Sequence, residues 1–190
     1  MLCSEPSARA RRRSLAMPPL EVEMAEVLES ECSVEMDKLL SLCRHGIPDR
    51  LRAEAWKYLL GVMRPEKSQE LSLGKQMEQR YQQLEQAGQA DPQSELSREI
   101  KAEVWSYRSA EPFFREPRTH QRLERLLRTY LHRHSTEYVP GMVHLLGPFV
   151  QVYRESDTDA YYGGLLIFHL PAHRLFATAH GHAAKGVSGP

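Results

Sequence analysis

The stretch Gly46-Ile47-Pro48-Asp49-Arg50-Leu51-Arg52-Ala53-Glu54-Ala55-Trp56-Lys57-Tyr58-Leu59-Leu60-Gly61 reads as one helix with both ends marked. Gly46 can close a preceding helix, and the fixed φ of Pro48 suits a first helical turn. Leu51, Ala55, Trp56, Leu59 and Leu60 recur with the 3.6-residue period of an apolar face, and Gly61 offers a left-handed stop. Arg52 and Trp56 stand four apart on one face. The guanidinium can therefore lie over the indole or reach a carboxylate behind it.

Helical periodicity extends in both directions from this segment. Upstream, Ser33 is placed to cap a helix carrying Met36, Leu39, Leu40 and Cys43 on one face. Downstream, Glu66–Ala87 is rich in Gln, Glu, Lys and Arg, which favours helix, but its thin apolar stripe leaves it half exposed and too short for a coiled coil. Gly88–Ser94 is a loop. Glu95–Ser109 resumes a helix through Leu96, Ile100 and Val104, with Tyr107 a further candidate for its apolar face, and Pro112 and Pro117 bound a connector holding Phe113 and Phe114. Thr119–His134 is the most regular helix, with Leu123, Leu126, Leu127, Tyr130 and Leu131 on one side. Arg122, Arg125, Arg128 and Arg133 occupy much of the remainder and read as a solvated face. Val143–Tyr153 is almost continuously apolar, a buried helix interrupted at Gly147-Pro148. No long run alternates with period two and no repeat is evident, so the fold class is all-α.

Composition sets the class of protein. Of 190 residues, 41% are apolar and 26% charged, enough for a soluble domain with a core. Lys+Arg and Asp+Glu each number 25, and this lack of a basic excess argues against a nucleic-acid partner. No segment has the ~18 consecutive apolar residues of a membrane span. The N-terminus has an Arg cluster followed by Pro18 and Pro19, and it lacks a signal-peptide apolar run. Glu5, Pro6 and those prolines also argue against the amphipathic helix of a transit peptide. Cys3, Cys32 and Cys43 show neither disulfide nor zinc spacing, which fits a reducing, cytoplasmic setting. Ser14, preceded by three arginines, matches a basic-directed kinase site, although a solvated basic tail is the simpler reading. His169/His173 and His180/His182 lack nearby carboxylates and thiols, so no metal is expected. No cofactor is expected.

The opening segment resembles the first signature of the TBC domain, the catalytic domain of Rab GTPase-activating proteins, whose early helix carries an Arg-x-x-x-Trp pair. Further matches follow in order. Ile100-Lys101-Ala102-Glu103-Val104 stands where the family has Ile-x-x-Asp-x-x-Arg, and Phe113-Phe114 resembles an aromatic pair. Glu137-Tyr138-Val139-Pro140-Gly141-Met142 stands at Tyr-x-Gln-Gly-Met. The resemblance spans roughly Gly46 to Gly163. It implies a disordered basic arm over 1–19, a partial TBC domain over 20–163 and a divergent tail over 164–190. The family's C-terminal half has no counterpart, and the Ala/Gly/His-rich tail has the composition of an alternatively spliced or frame-shifted end. The implied partner is a Rab-family small GTPase, with a cytoplasmic location peripheral to endomembranes and a role in vesicle trafficking.

In that family the second signature supplies an arginine finger and the third a glutamine finger to the GTPase's nucleotide pocket. Phosphoryl transfer needs an oriented water and neutralised phosphate charge more than covalent chemistry from protein. Guanidinium and carboxamide groups supply these. Here Ser106 falls at the arginine and Pro140 at the glutamine, and neither can do the work. An arginine finger is worth about 10³–10⁵ in rate, on the order of 4–7 kcal/mol. Arg108 is nearby, but two helical residues rotate it by about 200°, so it can substitute only if the helix ends before it. The resemblance thus implies a catalytically impaired, GTPase-binding member. Arg52 and Trp56 are structural in it, and Ile100, Glu103, Tyr138 and Gly141 are signature positions. Two alternatives stay open: a helical scaffold without a GTPase partner, and a non-functional fragment with the apolar faces of Thr119–Leu131 and Val143–Tyr153 exposed.

Overall fold

The computed structural model describes residues 19–88 and 94–169. The helices are α1 (Pro19–Leu28), α2 (Met36–Cys43), α3 (Asp49–Leu59), α4 (Glu70–Ala87), α5 (Glu95–Ser106), α6 (Pro112–Arg115), α7 (Pro117–His134), α8 (Met142–Val152) and α9 (Asp157–His169), with a short 3-10 turn at Lys67–Gln69 before α4. Among the described residues the sole extended pairing is one bridge between Ser33 and Glu66. The all-α expectation is met.

The apolar periodicities sort these helices into two packed clusters. The larger is centred on α7: Leu123, Leu126 and Leu127 pack with Ile100 and Val104 of α5 and Val143 of α8. The smaller joins α1, α2 and α3 through Met24, Leu39, Ala55 and Tyr58. α3 connects the two: it contributes Ala55 and Tyr58 to the smaller cluster and packs Trp56 onto the larger, with its ring centroid 5.3 Å from Phe149 and 6.5 Å from Tyr153. A second link is the ion pair from Lys57 to Asp159 at 3.1 Å. Leu123, Leu126 and Leu127 of α7 and Val143, Leu146, Phe149 and Val150 of α8 are buried, while Leu145 of α8 is exposed.

α3 begins after Pro48 and its C-cap is Leu60, with Gly46 at φ +103° and Gly61 at +71° bracketing it. α4 buries Tyr81 alone, and Leu71 is 84% exposed, in keeping with its thin stripe. Ser94 caps α5, its hydroxyl accepting from the Ser97 N–H at 3.2 Å.

Several expectations need correction. Ser33 does not cap α2: Glu35 holds that position without a side-chain hydrogen bond, and Ser33 is engaged in its bridge. Leu40 points outward at 49% exposure, because the short α2 buries only Leu39. α8 is not interrupted. It runs through Pro148, whose missing donor costs about 3 kcal/mol in a helix interior. Burial of Val143, Leu146, Phe149 and Val150 offsets that cost. The arginine face of α7 is not simply solvated. Arg122 donates to Asp157 (2.6 Å) and to the carbonyls of Arg154 (2.7 Å) and Tyr153 (2.9 Å). Arg125 reaches Asp157 and Glu85, and Arg128 reaches Glu124. Arg122 and Arg125 thereby clamp α7 to the α8–α9 corner and to α4, while the Arg128 pair lies within α7 itself, roles that helical periodicity cannot distinguish from a wet face. α9 continues without a break past Gly163 to His169. Residues 1–18 and 170–190, with Ser14 and most of the histidine pairs, lie outside the described residues, as does most of the Gly88–Ser94 loop.

Candidate functional site

The residues singled out in the second and third signatures meet around one carboxylate. Glu103 lies on α5, one turn after Ile100, whose full burial fixes the rotation of the helix. One Glu103 oxygen accepts the Tyr138 hydroxyl. The other accepts the Gly141 N–H at 2.9 Å and contacts His144 Nδ1 at 3.0 Å. The acidic side chain thereby ties the end of α5 to the loop that enters α8. Gly141 adopts φ +102° as the N-cap of α8, a conformation that disfavours residues with a Cβ. Pro140 precedes it, exposed in the turn. Burial, and then the Glu103 carboxylate, push the Tyr138 phenol well above its usual range, so it stays protonated and donating.

The helix end decides what this site presents. α5 stops at Ser106, and Tyr107 is extended at ψ 118°. The Ser106 hydroxyl donates back to the Glu103 carbonyl at 2.9 Å. Tyr107 is buried, its ring 4.8 Å from Phe114 and 4.9 Å from His144. It lies so close to Gly147 of α8 that a Cβ there would meet its hydroxyl at 2.3 Å. Arg108 follows with φ +43°, outside the helix, so the 200° rotation of a continued helix does not apply to it. Its Nε pairs with Glu111 at 2.9 Å and its guanidinium lies 5.8 Å from the Phe114 ring. Arg108 is thus a charged group held at the α5 exit, near the neutral Ser106.

The first-signature pair sits apart from this cluster. Arg52 does not cover the Trp56 indole. It donates to the Ile47 carbonyl at 3.0 Å and pairs with Asp49 at 2.6 Å, fastening the start of its own helix. Trp56 borders a groove of about 400 Å³ with Leu59, Leu60, Leu145, Pro148 and Phe149. His144, at the rim of this groove, also touches Glu103, so the groove and the signature loop adjoin.

Sequence reasoning missed His144, and it missed the contacts that Tyr107 and Asp157 make. The first two occupy positions whose partners come from another helix. Asp157 gave a usable signal, an acid at the start of α9 with arginines spaced i, i+3 on α7. Among the described residues no group of three His, Cys, Asp or Glu is placed to hold a metal. No described helix is long and apolar enough to cross a membrane.

Residues 49–177 match the model of the Rab-GTPase-TBC domain. The GTPase-activating protein gyp1 of Schizosaccharomyces pombe is 28% identical over 127 residues, covering 63% of this chain and 25% of that protein. The crystal structure of the Ypt/Rab-GAP domain of Gyp1p superposes with a TM-score of 0.68 at 16% identity, over 84% of this chain and 56% of that one, and so shares its fold. The chain spans a quarter of the length of the fission-yeast relative and little more than half of the solved domain. With the helical architecture, the ordered signatures and a family match over most of its length, this chain belongs to the Rab-GTPase-TBC domain family.

Proposed function

We propose that this chain binds a GTP-loaded small GTPase of the Rab type and accelerates its hydrolysis barely above the intrinsic rate. The observation that carries this reading is the Glu103 junction, which joins the α5 exit to the Tyr138–Gly141 loop. Tyr138 and Gly141 both bond Glu103, which supports the reading that the two elements so joined are the family's finger-bearing signatures, with Ser106 and Pro140 in the finger registers. The Ser106 hydroxyl is short, neutral and turned onto its own helix. Pro140 offers neither a side-chain polar group nor an N–H with which to hold water. A docking surface without the charge and the carboxamide should bind more than it catalyses. The relative gyp1 carries the name GTPase-activating protein, which supports the choice of partner class.

Single-turnover hydrolysis across a panel of GTP-loaded Rabs, with binding measured in parallel, tests the proposal. The expected result is binding to at least one Rab with hydrolysis near the intrinsic rate. Incomplete recovery is expected with Ser106→Arg, Pro140→Gln. Robust acceleration by the natural chain that is lost on Arg108→Ala would overturn the impairment and make Arg108 the working guanidinium. Absence of binding to every Rab would favour the scaffold reading.

A further inference from the structure

On a face that shares no residue with the signature site, α4, the end of α7 and α9 enclose a groove of about 360 Å³. Its apolar lining comes from Leu73, Met77 and Leu84 of α4 and Leu165 of α9. Arg80 of α4 and Arg133 of α7 flank it, and neither has an ion pair among the described residues. The sequence explains why. The residues three and four away from Arg80 are Gln76, Met77, Gln83 and Leu84, and those before Arg133 are Thr129 and Tyr130, so no helical neighbour supplies a carboxylate. Tyr161 and Tyr162 also line the groove, and their hydroxyls are buried without a hydrogen-bond partner. Both arginines act electrostatically on both phenols, which places the two cations and the two donors within one field.

A mostly apolar concavity with a few convergent polar groups is the usual form of a small-ligand site, and its volume sits at the low end of that range. A helical protein partner would need a far larger buried face, about 800 Å² on each side. Two exposed guanidiniums without carboxylate partners favour an anionic head, and the leucine and methionine lining favours an alkyl chain. The chain's own residues 170–190 supply the wrong charge, since they contain Arg174 and Lys185 and no Asp or Glu. We infer that the α4–α7–α9 groove binds a single-chain aliphatic carboxylate, its head held by Arg80 and Arg133 and its chain laid along Leu73, Met77 and Leu165.

Isothermal titration of the full chain with dodecanoate, kept below its aggregation concentration, tests this directly. Saturable binding of one molecule per chain is expected, with acetate and dodecanol both much weaker. Arg80→Gln together with Arg133→Gln should weaken dodecanoate about tenfold or more, as expected for losing charge-assisted hydrogen bonds. Both arginines are exposed, so this variant should keep the natural melting temperature. Met77→Glu should abolish binding by placing a carboxylate in the groove. The inference is overturned by no saturable binding, by many molecules per chain, by dodecanol binding as well as dodecanoate, or by unchanged affinity in the double arginine variant.

Discussion

Replacing Glu103 tests whether one carboxylate holds the α5 exit to the signature loop. Its side chain is 14% exposed and receives three contacts. The His144 contact should add little, because that ring is 63% exposed and water can replace the partner. The Tyr138 hydroxyl and the Gly141 N–H are partly buried, and hydrogen bonds to a charged acceptor are worth about 1.5–3 kcal/mol each. Taking the low end for both, Glu103→Ala should cost about 3 kcal/mol. Glu103→Gln, which keeps one acceptor oxygen but turns an NH₂ toward the second donor, should cost about half of that. Urea unfolding with an unchanged m-value measures the difference. Amide exchange at Gly141 should accelerate in the same variants, since this N–H loses its acceptor. A Glu103→Ala stability within about 0.5 kcal/mol of the natural chain, with Gly141 exchange unaltered, would refute the junction.

Gly147→Ala should destabilise by about 1–3 kcal/mol, because the added methyl must displace the buried Tyr107 ring; a thermal melt matching the natural chain would show that α8 and the α5 exit are not in contact. Arg122→Ala should cost about 2–3 kcal/mol in urea unfolding, since it strips two carbonyls at the end of α8 and one of the two arginines on Asp157, and Arg122→Lys should recover only part because an ammonium lacks the planar fork. Trp56→Ala should cost about 2–4 kcal/mol, toward the lower range of aromatic truncations because the indole is only partly buried, and a loss below about 1 kcal/mol would show that Trp56 does not hold α3 to the larger cluster. Burial raises the phenols of Tyr81, Tyr138 and Tyr153 well above the usual range and Tyr161 to about 12. A raised phenol pKa stabilises the fold fully below the unfolded value of about 10 and loses that contribution as pH rises beyond it, so stability followed by circular dichroism should hold to about pH 10 and then fall steeply.

Much of the fold was legible because helix signals are local. The Pro48 start, the left-handed Gly61 stop and the Leu123–Leu127–Leu131 spacing each depend on residues within a few positions of one another, so α3 and α7 could be bounded from the chain itself. The identities of Ser106 and Pro140 were equally plain, since a missing guanidinium or carboxamide needs no coordinates to be noticed. Other features depended on residues distant in sequence. Pro148 predicts a break by its own chemistry, and only the burial of its neighbours keeps α8 continuous. The arginines of α7 look like a wet face until Asp157 and the end of α8 close over them. The rotation of Arg108 depended on where α5 ends, and that end is set by Tyr107 packing on Phe114, His144 and Gly147. Glu103 could be placed on its helix by counting. Its junction with Tyr138 and Gly141, 35 and 38 residues away in sequence, exists only because α5 and α8 pack against α7 in one core.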